Sequence, residues 1–150
     1  MRIAIGCDHR GLSLKRSIIN LITELGHGYE DFGCYNETAV DYPDIARRVT
    51  EAVVGGKFDH GILICSTGIG MSIAANKVPG VRAALCHSTF TARRAREHND
   101  ANILCMGGEV VEPDLASEIV RTYLASRFEG GRHLKRLEKV RELERRCHLA

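Results

Sequence analysis

Three stretches of the chain bring together residue types that can move protons or hold an anion. In Cys65-Ser66-Thr67-Gly68-Ile69-Gly70 a thiol is followed by small residues and two glycines. A turn of this kind leaves amide N–H groups free to point at an anion, and a helix opening behind it adds the positive end of its dipole. Cysteines at such helix starts have a pKa lowered from ~8.5 and serve as bases or nucleophiles near neutral pH. The Thr67 hydroxyl is a second donor, two residues on. The same segment also fits a tight turn around a core cysteine. It lacks the Gly-Lys-Ser/Thr of a P-loop and the third glycine of a dinucleotide fingerprint.

The second stretch, Gly6-Cys7-Asp8-His9-Arg10-Gly11, sets an acid beside an imidazole. Asp8 can cap a helix, or the pair can orient a sugar hydroxyl or shuttle a proton. The third, His98-Asn99-Asp100, has the same dual reading, because Asn and Asp are also common turn formers. Arg132 and Arg136 stand one helical turn apart and can clamp a phosphate or merely solubilise a helix. His27, His60, His87, His133 and His148 lack comparable settings and read as structural or exposed. Cys7, Cys34, Cys86, Cys105 and Cys147 read as core or incidental surface thiols, since unpaired Cys packs as a small hydrophobe.

The elements around these stretches follow one grammar. Arg2 to Cys7 is a short apolar strand, and Leu14, Ile18, Leu21, Ile22 and Leu25 then recur at helical spacing up to Gly26. A weak strand over Tyr29 to Phe32 precedes a helix opened by Pro43 and ended by Gly55-Gly56. Gly61 to Cys65 is the most strand-like run, followed by a helix over Met71 to Lys77. Val81 to Cys86 precedes a helix from Thr89 to Glu97, and Ala101 to Met106 precedes one from Pro113 to Arg127. Five strands alternating with helices predict an α/β three-layer sandwich with a five-stranded parallel sheet, flavodoxin- or Rossmann-like. Ligands of such sheets bind beyond the carboxyl ends of the strands, which directs attention to the loops after strands one, three and four.

The tail from Arg132 to Arg146 carries Leu134, Leu137, Val140 and Leu143 as a thin apolar seam among seven cations and three anions. Gly130-Gly131 before it forms a joint, so the helix can close its own domain or reach a neighbouring subunit.

The chain has 150 residues, which predicts a single domain over 1–150. A net charge of +2 and an aromatic share of 5%, without Trp, give no footing for nucleic-acid binding. No CxxC occurs and no cysteine pairs with closely spaced histidines, so no metal site is expected. No signal-peptide pattern and no ~18-residue apolar stretch occurs. No membrane association is expected, and a reducing, cytoplasmic setting follows.

The ordered segments GCDHRG, DYPDIA, GILICSTGIGMSIAANKVPGVRAA, REHNDANIL and EGGRHLKRLEKV resemble the ribose-5-phosphate isomerase B family, which includes galactose-6-phosphate and allose-6-phosphate isomerases. The resemblance runs from Met1 to about Arg146. It implies aldose-ketose isomerisation of a phosphosugar through an enediolate, without metal or organic cofactor, by a homodimer or homotetramer. Carried onto this chain, it makes Cys65 the base, with Thr67 and the N–H groups around Ser66, Gly68, Ile69 and Gly70 holding the oxyanion. His98, assisted by Asp8, opens the furanose ring. Tyr42 and Asn99 hold sugar hydroxyls. His9, Arg132 and Arg136 contact the phosphate, the arginines from a neighbouring subunit.

Two residues depart from the family pattern: Ser66 replaces a usual Gly, and Glu109 stands where an Arg usually helps bind phosphate. Glu109 must either turn away to pair with an arginine or mark a different substrate, such as a four-carbon ketose phosphate or a six-carbon aldose phosphate. A noncatalytic module binding RNA or an acidic partner through the basic tail is a remote alternative.

Overall fold

The structure is a computed structural model that describes residues 1–148; the side chain of His148 lies outside the described part. Five strands form one parallel sheet: β1 (Arg2–Cys7), β2 (Gly28–Asp31), β3 (His60–Cys65), β4 (Ala83–Leu85) and β5 (Ile103–Gly107). Six α-helices accompany them: α1 (Leu12–Glu24), α2 (Tyr42–Val54), α3 (Ile69–Ala75), α4 (Thr89–Glu97), α5 (Pro113–Ala125) and α6 (Arg132–His148). The expected three-layer architecture is therefore present.

Period-two alternation sends Ile3, Ile5 and Cys7 of β1 into a core shared with α1, α4 and α5. Ala4 faces a second core with Ile45, Ala46 and Val49 of α2 and Met71 of α3. In β3 the alternation puts Ile62 and Ile64 in the first core and Leu63 and Cys65 in the second. The α1 amphipathic spacing buries Leu14, Ile18, Leu21 and Ile22 as the sequence pattern requires.

The strand order is β2-β1-β3-β5-β4. It departs from the doubly wound order 2-1-3-4-5 in its last two strands. β5 consequently lies beside β3, and the loop after β5, not the loop after β4, flanks Cys65. The helix expected to start at Met71 begins at Ile69, because Gly68 already accepts the N–H of Ser72 as the first helical bond.

The tail is a helix, and its seam is only partly covered. Leu137 is buried, whereas Leu134, Val140 and Leu143 are 43%, 49% and 62% exposed. Its far half is tied to the domain by a hydrogen bond from the Gly80 N–H to Glu144 Oε1 at 2.9 Å.

Candidate active site

At the carboxyl edge of the sheet, β1 and β3 end side by side, with Cys7 in register with Ile64 and Cys65 with Gly107 of β5. The Cys65 thiol is almost buried, at 5% exposure. Its sulfur accepts the Gly68 N–H at 3.1 Å, so one backbone dipole already points at the atom that would carry charge. Thr67 is exposed, and its Oγ1 accepts the Ile69 N–H at 3.3 Å. The loop can close this tightly because Gly68 adopts φ +77°, where a Cβ would lie 2.7 Å from the Met106 carbonyl carbon. Gly70 lies directly under Tyr42, whose ring a Cβ would meet at 2.8 Å. Tyr42 opens α2 and remains 39% exposed, so its ring is held at the loop with its rim toward solvent.

Neighbouring loops complete this edge. The Asp8 N–H donates to the Ile64 carbonyl at 3.1 Å, and Asp8 Oδ1 caps the following 3-10 turn by accepting N–H bonds from Arg10 at 2.9 Å and Gly11 at 3.2 Å. His9 Nδ1 accepts the Val40 N–H at 3.4 Å, which ties the loop ahead of α2 to the first turn. Lys15, 1% exposed, supports the same loop from below through Asp31 Oδ1 at 2.6 Å and the Cys34 carbonyl. Burial pushes the Cys7 thiol up to about 12, which removes it as a competing base. After β5, the Gly108 and Glu109 N–H groups donate to the Cys65 and Ser66 carbonyls at 2.7 and 3.0 Å. The Glu109 carboxylate pairs with Arg10 Nη1 at 3.1 Å, the first of the two fates open to it.

His98 and Asn99 are elsewhere. They follow α4, which runs back to the amino edge of the sheet, where Asn102 accepts the Gly61 N–H at 2.9 Å. Gly61 and Cys65 are four residues apart on β3, about 13 Å at ~3.3 Å per residue. Asp100 takes the left-handed region at φ +45° and is held by Arg82 at 3.1 Å and Arg96 at 2.8 Å. It is thus the turn former of the trio.

The His98 ring lies flat on His133, centroids 4.0 Å apart and planes inclined by 13°. His98 Nε2 is 3.1 Å from Arg94 Nη1 and 3.7 Å from Glu129 Oε2, and His133 Nε2 is 3.5 Å from the same oxygen. Burial, and after it the neighbouring His98 and Arg132, hold His133 below the ordinary imidazole value. Arg132 and Arg136 flank this cluster, exposed and without an ion pair among the described residues.

One chain therefore brings Asp8, His9, Tyr42, Cys65, Ser66, Thr67, Gly68, Ile69 and Gly70 to one edge, and His98, Asn99, Arg132 and Arg136 to the other. Sequence reasoning missed four partners: Arg10, Arg94, Glu129 and His133. The spacing Glu129-x3-His133, one turn and adjacent to Arg132, was the available signal for two of them.

The ribose/galactose isomerase family model matches residues 3–140. Ribose-5-phosphate isomerase B of Escherichia coli is 46% identical over 145 residues, covering 97% of both chains. A D-erythrulose-4-phosphate isomerase of Pectobacterium atrosepticum is 42% identical over 142 residues, covering 93% of each. The structure of ribose-5-phosphate isomerase B from Clostridium thermocellum superposes with a TM-score of 0.96 at 52% identity, covering 97% of this chain and 99% of that one. Among the described residues no helix is long and apolar enough to cross a membrane.

Proposed function

The chain belongs to the ribose/galactose isomerase family and is a sugar-phosphate isomerase, and we propose that it interconverts ribose 5-phosphate and ribulose 5-phosphate with Cys65 as the proton-transfer base. The observation that carries this reading is the Cys65 sulfur, held by the Gly68 N–H in a loop roofed by Tyr42. The thiolate removes the C2 proton of the open-chain aldose, and the electron pair moves into a C1–C2 double bond as charge collects on O1. Amide N–H groups of the loop and the Thr67 hydroxyl stabilise that oxyanion. The O2 proton passes to O1, the proton held by Cys65 is delivered to C1, and C2 becomes the carbonyl. No metal or organic cofactor enters these steps.

The aldose arrives as a furanose, so a ring-opening acid is needed before Cys65 can act. His98 fills that role by protonating the ring oxygen as the C1–O bond breaks, while Asp8 takes the O1 proton. Because His98 sits at the opposite sheet edge from Cys65 and Asp8, the complete site is assembled between two copies. Each copy lends His98, Asn99, Arg132 and Arg136 to the Cys65 loop of the other, and His9 joins the two arginines on the phosphate. The uncovered seam of Leu134, Val140 and Leu143 supports a tail that continues onto a neighbour in a homodimer or a tetramer built from it.

The test is Cys65→Ala, which lowers kcat by ~10² or more while the fold persists; near-normal turnover refutes the assignment. A second reading rests on Glu109. By neutralising Arg10, it removes a cation from the edge where the phosphate of a five-carbon substrate is expected, which favours a four-carbon ketose phosphate or a six-carbon aldose phosphate. Relative kcat/KM across four-, five- and six-carbon phosphates separates the two, and a better substrate than ribose 5-phosphate displaces the first.

A further inference from the structure

Ring opening asks more of His98 than a ring in the right place: one nitrogen must face the sugar, and the imidazolium must be stable enough to form. The geometry points to Glu129 and His133 as positioning residues that supply both conditions, an inference that rests on the ring-opening reading of His98. His98 Nε2 is occupied within its own chain, with Arg94 Nη1 at 3.1 Å and Glu129 Oε2 at 3.7 Å. Nδ1 is left as the nitrogen that can exchange a proton with a ligand. His133 is 4% exposed, and its ring stacks on His98 at 4.0 Å, which fixes the plane in which Nδ1 points.

The carboxylate gives the arrangement its direction. When His98 is protonated, Nε2–H faces Glu129 and Nδ1–H faces outward. Transfer of the Nδ1 proton to the ring oxygen leaves a neutral ring with its proton on Nε2, beside Glu129, and Arg94 Nη1 must then leave Nε2 and donate to Glu97 Oε2 alone. Arg94 opposes protonation, because a guanidinium only donates and needs Nε2 as an acceptor. Glu97 limits that opposition by accepting from the same Arg94 Nη1 at 3.0 Å. Glu129 Oε2 also lies 3.5 Å from His133 Nε2, so one carboxylate neighbours both rings.

Ring opening can be read apart from isomerisation, because it exchanges the α and β anomers of ribose 5-phosphate. In Cys65→Ala protein the isomerisation step is stopped, and magnetisation transfer between the C1 signals of [1-13C]ribose 5-phosphate measures the ring step alone. The Cys65→Ala parent accelerates anomer exchange, and adding His98→Asn abolishes the acceleration. Adding Glu129→Gln or His133→Ala cuts it about 10-fold or more, the scale of a mispositioned general acid. His133→Phe, which keeps a stacking ring, restores most of the loss seen with Ala. If Glu129→Gln and His133→Ala retain the parent's exchange rate, the positioning role is overturned while His98 keeps its own. If the parent gives no acceleration, or His98→Asn retains it, the ring-opening reading itself fails and this inference falls with it. Glu129 is half exposed, so its variant folds even where the buried His133→Ala does not.

Discussion

The two edges of the sheet are built by different means. The carboxyl edge, around Cys65, is made by backbone: N–H···O=C hydrogen bonds between the β3 and β5 loops, a left-handed glycine, and a second glycine under Tyr42. The amino edge, around His98, is made by side chains: two stacked imidazoles, a carboxylate near both, and Arg82, Arg94, Arg96, Arg132 and Arg136. The first arrangement is nearly closed, as suits the base proposed at Cys65. The second projects charged groups from two helices toward solvent, as suits residues offered to another molecule. A single chain holds the two halves at opposite edges, and this division is what the proposed function answers by pairing two copies.

The sharpest way to break the comparison is at the backbone edge. Gly68→Ala forces a Cβ against the Met106 carbonyl at a positive φ, and it should lower unfolding stability by about 2 to 4 kcal/mol in urea titrations as well as reduce activity. A side-chain edge should respond differently. Arg132→Ala and Arg136→Ala should each raise KM for ribose 5-phosphate roughly 10-fold or more, the worth of one charge-assisted contact, with little change in melting temperature. If the arginine variants unfold the protein, or Gly68→Ala is silent, the contrast between the edges is wrong.

How much could be read without the structure follows the same division. The β-α grammar, the glycine loop after β3 and the helical tail were legible, because strand alternation, turn residues and helical spacing are local properties of sequence. The exchange of β4 and β5 in the sheet was not, since strand order is a long-range choice, and it moved the loop beside Cys65 from residues after β4 to Gly107-Gly108-Glu109. His133 read as structural or exposed because its meaning comes from a ring 35 positions earlier in the chain. Of the two readings of Asp8 the structure shows the cap, made by one carboxylate oxygen, while the proton-accepting role belongs to the proposed reaction.

The smallest expected effect concerns pH. His60 lies at the amino edge, where burial and then Arg96 lower its pKa from 6.5 to about 4. The unfolded chain takes up that proton at the ordinary value and the native state resists it. Stability is therefore complete above 6.5 and is lost as pH falls toward 4. His60→Phe, which keeps the edge contact with Tyr123, should flatten this part of the profile of urea midpoint against pH, while a variant profile parallel to the wild type would assign the slope to other groups.

The central claim is that one active site takes Cys65 from one copy and His98 from another. Cys65→Ala and His98→Asn chains, each nearly inactive alone, can be co-expressed with different tags and the mixed dimer purified. A shared site leaves one of the two sites of that dimer with both groups intact, so the mixed species should recover about half of the wild-type ribose 5-phosphate isomerase activity. If each site were contained within a single chain, every site in the mixed dimer would carry one defect, and activity no higher than that of the parent variants would contradict the account.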